Sequence, residues 1–308
     1  MKLLSFRIAN QIRIGLLVNN TIVDISEGCY YLFKQNIPSD MIGFLEGGET
    51  MMKLAKKLEE YAKKNMKTLG SNSGILYNVD KVEILAPVPR TRQNIICLGL
   101  NYVEHVQEVG LALPKYPVFF TKPPNCIIGP DADIIFPKNS IKIDYEAELA
   151  FIFGKGGKNI SEEEAFKYVA GYTILNDVTA RDLQRRHGQW FKGKGLDTFA
   201  PVGPYLITKE EVNNPHNLNI SLELNGVIMQ KSNTRNLIFK IPTLVKYITM
   251  DMTVEPGDIV ATGTPSGVGY TRKPPIYLKP GDRLEITVEK IGVLKNKIVS
   301  STEPLALF

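Results

Sequence analysis

The chain has 308 residues, 44% of them hydrophobic and 22% charged, with a formal net charge of +5. That is enough chain for one large or two smaller domains with substantial cores. The weak, scattered positive charge forms no nucleic-acid stripe, and the chain has no apolar run of about 18 residues that would cross a bilayer as a helix.

The N-terminal residues read as three strands over 3–8, 13–18 and 22–24. The beginning of the chain lacks a long apolar leader, which is expected for a cytoplasmic protein. An amphipathic helix follows over 50–66, with Met51, Leu54, Ala55, Leu58 and Ala62 on one stripe. Its lysines, Lys56, Lys57, Lys63 and Lys64, fit a solvated face, and a membrane-surface helix is the competing reading. Residues 70–74 (Gly-Ser-Asn-Ser-Gly) read as a flexible stretch, and the prolines of 85–90 impose an extended segment. These signals divide the chain into a small N-terminal α+β domain (1–75), a linker (76–92) and a second, larger domain (93–308).

The second domain reads as mainly β. Asn225-Gly226 marks a type I′ hairpin, and a Pro-Gly-Asp turn occurs at 256–258 and again at 280–282. Short helices are expected on the rim, with Ser161 and Thr179 as candidate capping boxes. Cys29, Cys97 and Cys126 lack metal-ligand spacing and fit buried thiols in a reducing compartment. Three histidines make a His-based zinc site a poor candidate.

Glu146 and Glu148 lie within an apolar run, and strand alternation points them to one face. Such a pair occurs on solvated edge strands. It also occurs around a hard divalent cation, where Asp177, at the end of the apolar run 170–175, would be a third carboxylate. His105 and Glu108, at i and i+3 of a short helix, form either a surface pair or an oriented general base for water. Lys122 ends an aromatic strand and either snorkels or meets a substrate carboxylate. Residues 262–269 (Thr-Gly-Thr-Pro-Ser-Gly-Val-Gly) form a plain turn or a cradle for an anionic oxygen, but lack the Lys-Ser/Thr ending of a P-loop.

In order, G-x-N-Y-x-x-H-x-x-E (99–108), F-x-K-P (120–123), D-Y-E-x-E-L (144–149), N-D-V-T-A-R-D-x-Q (176–184), G-K-G-L-D-T-F-A-P-x-G-P (193–204) and T-G-T-P-x-G-V-G (262–269) resemble the fumarylacetoacetate hydrolase family. Within it, Gln189-Trp190, the Arg272-Lys273-Pro274-Pro275 stretch and Gly292-Val293 resemble the branch of fumarylacetoacetate hydrolase domain-containing protein 2 and the 2-hydroxyhepta-2,4-diene-1,7-dioate isomerase-like chains. The resemblance implies a β-roll catalytic domain and a homodimer. It implies Mg²⁺ or Mn²⁺ on Glu146, Glu148 and Asp177, a catalytic His105–Glu108 dyad on a lid-like helix, and Lys194 in catalysis. Lys122, Arg181, Gln184 and Thr264 would face the substrate. Asn101 departs from the pattern, because fumarylacetoacetase itself carries an aspartate there; Gly195 departs where relatives carry Ser or Thr. The implied reaction acts on a small 2-oxo acid through an enolate stabilised by the metal. C–C hydrolysis of an acylpyruvate is the leading form. Oxaloacetate decarboxylation, tautomerisation or double-bond isomerisation is the alternative, and a non-catalytic dicarboxylate binder is the outside one.

Overall fold

The computed structural model describes residues 1–70 and 74–301, so the flexible stretch expected at 70–74 falls largely outside the described residues. The protein is α+β and mainly β, as expected. A twelve-stranded sheet forms its backbone. Along its main path the strands run Leu76–Asn78, Thr21–Asp24, Gln11–Val18, Lys2–Ile8, Ala200–Thr208, Val169–Asn176, Ala147–Phe153, Ile259–Ala261, Ile95–Gly99 and Val118–Lys122. A five-stranded sheet, built from Asp133–Phe136, Asn219–Leu224, Val227–Asn233, Arg283–Val288 and Gly292–Ser300, packs against its centre.

The three N-terminal strands form where the sequence places them, and the helix runs Gly48–Gly70 with a non-helical residue at Asn65. Its stripe (Ala55, Leu58, Ala62) is buried against the helix Ile25–Phe33, where Gly28 admits Leu58. These elements share the main sheet with the rest of the chain. Lys2–Ile8 pairs antiparallel with Ala200–Thr208, and the Met1 ammonium reaches Glu211 at 2.8 Å. Residues 76–92 contribute the short strands Leu76–Asn78 and Glu83–Leu85 to the same sheet.

The central strands decide what the two glutamates are. Every residue of Ala147–Phe153 and of Val169–Asn176 is buried. A strand covered on both faces reads as a continuous apolar run, and a carboxylate inside it has no solvent to face. The edge-strand reading of Glu146 and Glu148 is therefore excluded. Antiparallel pairing sets Ala147 opposite Asn176, and the Asp177 amide donates to the Glu146 carbonyl at 2.9 Å, which brings Asp177 beside Glu146.

The hairpin at Asn225-Gly226 has φ of 52° and 79°, the left-handed pair that a type I′ turn needs. Both Pro-Gly-Asp turns close alike: Asp258 accepts from the Glu255 amide at 2.8 Å, and Asp282 from the Lys279 amide at 2.9 Å. The capping boxes do not form. The helix Ala165–Tyr168 is preceded by Glu164 with no side-chain cap, and Thr179 lies in a two-residue strand with its hydroxyl on the Asp177 carbonyl. At both positions the serine or threonine lies too far upstream of the first helical turn.

Burial pushes the Asp258 carboxyl up to about 6 against the opposing backbone hydrogen bond. The folded chain then holds this proton more tightly than the unfolded chain. The contribution is complete below the ordinary carboxylate pKa and is lost as pH rises through about 6. Urea titrations across this window should show wild-type stability falling relative to Asp258→Asn by up to about 3 kcal/mol between about pH 4 and pH 7. A pH-independent difference would refute the assignment.

Candidate active site

Glu146, Glu148 and Asp177 converge, with one carboxylate oxygen of each within 4.8 Å of the others. All three are buried. Lys194, carried by the short helix Phe191–Lys194, sends its ammonium to Glu146 Oε2 at 2.8 Å and to Asp177 Oδ2 at 2.6 Å. Lys122 meets Asp177 Oδ1 at 2.7 Å and the Val178 carbonyl at 3.0 Å. Lys122 is fully buried, so it does not snorkel, and it is engaged with Asp177 rather than lining the cavity. Arg181 spans Glu146 Oε1 at 2.6 Å and Asp144 Oδ2 at 2.8 Å, with the Tyr270 ring stacked 4.3 Å away.

The charges of this buried cluster do not balance. Four carboxylates (Asp144, Glu146, Glu148, Asp177) face three cations (Lys122, Arg181, Lys194), which leaves one negative charge over. It falls on Glu148. Its Oε2 accepts from the Gly263 amide at 2.7 Å, while Oε1 is buried with no partner. Burial, then the charges of Asp177 and Glu146, push the Glu148 carboxyl well above its usual range. Burial opposes ionisation of Glu146 too, but Lys194 and Arg181 outweigh it and hold that carboxyl well below its usual range. Burial also works against the Lys194 charge, and Asp177 and Glu146 more than restore it. An all-oxygen donor set with an orphaned oxygen and a deficit of positive charge fits a hard divalent cation.

Asn101 cannot complete the set. Its amide donates to the Thr262 carbonyl at 2.7 Å and the Phe239 carbonyl at 3.2 Å, and its oxygen accepts from the Phe239 amide at 2.8 Å. It clamps the loop beyond strand Ile259–Ala261. Gly263 there has φ +99°, and a Cβ on it would sit 2.8 Å from Asn101 Cβ, so the close approach requires glycine. Thr262 and Thr264 hydroxyls donate to the Leu149 and Ala147 carbonyls, continuing the loop along the glutamate-bearing strand.

His105 and Glu108 meet as their spacing suggests, on the helix Val103–Glu108, with Nδ1 and Oε2 3.0 Å apart. The pair is not a surface one, since His105 is buried. Glu108 also accepts from the Gly267 amide at 2.8 Å and the Thr271 hydroxyl at 2.9 Å. Burial raises the Glu108 carboxyl, and these hydrogen bonds overcome it and hold it below its usual value.

A cavity of about 260 Å³ gathers the site. His105, Glu146, Arg181, Gln184, Lys194 and Thr264 line it, with apolar walls from Leu98, Leu100, Val109, Leu111, Phe120 and Trp190. Lys192, in contrast, is exposed. Sequence reasoning missed three participants. Asp144 neutralises Arg181 and accepts from the Gly269 and Tyr270 amides; Tyr270 stacks on Arg181; Gln230 donates to Thr264 and accepts from the Ala147 amide. Asp144 carried a signal, because strand alternation puts it on the parity of Glu146 and Glu148. Tyr270 and Gln230 carried none.

Residues 94–299 match the family described as fumarylacetoacetate (FAA) hydrolase C-terminal. The chain belongs to the fumarylacetoacetate hydrolase family. It is similar to oxaloacetate tautomerase YisK of Bacillus subtilis, 40% identical over 97% of this chain and 100% of that protein. The mitochondrial oxaloacetate tautomerase Fahd2a of Rattus norvegicus is 43% identical over 87% of this chain and 82% of its own. Among solved structures, a fumarylacetoacetate hydrolase from Exiguobacterium antarcticum superposes with a TM-score of 0.81 at 33% identity, covering 97% of this chain and 99% of that one. These relatives are enzymes, and so is this member of the family.

Glu148→Gln should weaken Mn²⁺ binding by at least about tenfold, read by isothermal titration of metal-stripped protein, because it removes the carboxylate left without a counter-charge. Unchanged affinity would place the ion elsewhere.

Proposed function

We propose that the protein interconverts the enol and keto forms of a small 2-oxo dicarboxylate of the oxaloacetate type, with Mg²⁺ or Mn²⁺ held by Glu146, Glu148 and Asp177. The observation that carries this reading is the single small cavity faced by His105, Lys194 and Glu146. When bound, the ion supplies Lewis-acid polarisation of a 2-oxo group and its adjacent carboxylate. His105 is the proton carrier. Glu108 fixes Nδ1, and Nε2 has no protein partner among the described residues, so it can take a proton at oxygen and return it at carbon. The Lys194 ammonium stabilises negative charge developing on the substrate oxygen. Leucine, valine and aromatic side chains form the rest of the cavity wall. The two relatives named oxaloacetate tautomerases support this choice of reaction. A homodimer in the cytoplasm belongs to the same proposal on the strength of the family resemblance.

A second reading, hydrolysis of an acylpyruvate, is favoured by the intact His105–Glu108 pair, which also suits activation of water, and by the solved relative named a hydrolase. Ultraviolet decay of enol oxaloacetate and release of pyruvate from acetylpyruvate separate the two. Ketonisation should be accelerated, EDTA should abolish it, and Mg²⁺ or Mn²⁺ should restore it. Pyruvate release outpacing ketonisation would overturn the tautomerase reading.

His105→Ala should lower kcat by about 10² to 10⁴-fold with Mn²⁺ affinity nearly unchanged. A full rate in this variant would remove His105 from the mechanism. Lys194→Met should lower kcat, whereas Lys192→Met should not; equal effects would reduce both lysines to a generic positive rim.

A further inference from the structure

The three cations that line the cavity are not equivalent. Arg181 is committed to Asp144 and Glu146, and Lys194 to Glu146 and Asp177. Arg185 is exposed at the mouth, and no hydrogen bond or ion pair engages its guanidinium among the described residues. It lies four residues after Arg181 on the helix Arg181–Arg186, so both side chains share a face. Both reach one aromatic ring: the Arg181 guanidinium lies 4.3 Å from the Tyr270 centroid and that of Arg185 lies 5.5 Å away. Two guanidinium groups on one ring repel each other. Asp144 and Glu146 answer the inner one, and among the described residues no carboxylate pairs with the outer one.

We infer that Arg185 is a specificity residue that receives the distal carboxylate of a dicarboxylic 2-oxo acid. The inference rests on the tautomerase reading for the position of the other substrate end, and deepens it by choosing dianions over monoanions. A guanidinium presents paired N–H donors that match a carboxylate, and its flat face is held by Tyr270 while the donor edge stays free. The substrate's 2-oxo end belongs with the buried carboxylates. A second carboxylate at the mouth would meet the one uncommitted cation lining the cavity. The other polar groups lining the cavity, Gln184, Thr264 and Tyr270, carry no positive charge.

The test uses the Mg²⁺-loaded full chain. In Arg185→Gln, KM for oxaloacetate should rise about tenfold or more with kcat little changed, since a charge-assisted contact made equally in ground and transition states is lost. Arg185→Lys should recover part of the loss. Pyruvate, which lacks the distal carboxylate, should keep its inhibition constant. Arg186→Gln is the control, because Arg186 does not line the cavity, and its KM should stay at the wild-type value. A binding arm does not depend on turnover. Wild type should prefer 2-oxoglutarate to pyruvate by calorimetry, and Arg185→Gln should lose that preference. Failure of wild type to ketonise oxaloacetate would sink the tautomerase reading, while the calorimetric preference would still decide Arg185. The inference is overturned if KM does not change, if pyruvate weakens in parallel, if Arg186→Gln behaves like Arg185→Gln, or if the calorimetric preference survives the substitution.

Discussion

The salt-bridged chain Lys122–Asp177–Lys194–Glu146–Arg181–Asp144 is the constraint on which the rest of the site depends. It is buried among strands covered on both faces, where an unpaired charge is costly and breaking one pair costs about 3–5 kcal/mol. Each cation comes from a different segment: Lys122 from the end of a strand, Arg181 from the start of a helix, Lys194 from the end of another. Satisfying the carboxylates therefore fixes three segments around one point. The alternating order of sign leaves Glu148 outside the chain, with one oxygen on the Gly263 amide and the other free. The cation deficit and the geometry that would receive a cation thus have a single origin.

Glu108 extends that constraint to the catalytic histidine proposed here. One oxygen holds His105 Nδ1, while the other accepts from Gly267 and Thr271. The imidazole is thereby referenced to the same loop whose Gly263 amide holds Glu148. The helix is tied at its other end as well, where Glu104 hydrogen-bonds Ser232 and Asn236. Six residues would not make a stable helix alone, so its position depends on these side-chain ties. Proton carrier and carboxylate cluster consequently keep a common frame without sharing an element.

Much of this arrangement was legible in the chain. Period-two alternation aligned Glu146 with Glu148, the i, i+3 spacing paired His105 with Glu108, and glycine-flanked Lys194 stood apart from Lys192. Each is a local rule, and local rules transfer from sequence to structure. What was not legible depends on neighbours distant in sequence. The direction of Lys122 is set by Asp177, 55 residues away. The roles of Gln230 and Tyr270 exist only because the loop over 262–269 folds back on the glutamate-bearing strand. The capping box at Thr179 failed for a local reason: its hydroxyl donates to the Asp177 carbonyl two residues back, a side-chain-to-backbone bond that competes with capping.

Asn101 stands where the resemblance places an aspartate in fumarylacetoacetase itself. An aspartate there would add a fifth carboxylate to a cluster already one positive charge short, and it could not donate. Asn101 gives both of its amide protons to backbone carbonyls, of Thr262 and Phe239, and holds the Phe239 amide with its oxygen. A carboxylate would keep only the last contact and would set its other oxygen against two carbonyls, a repulsion inside a buried site. The amide is therefore required by the loop it clamps.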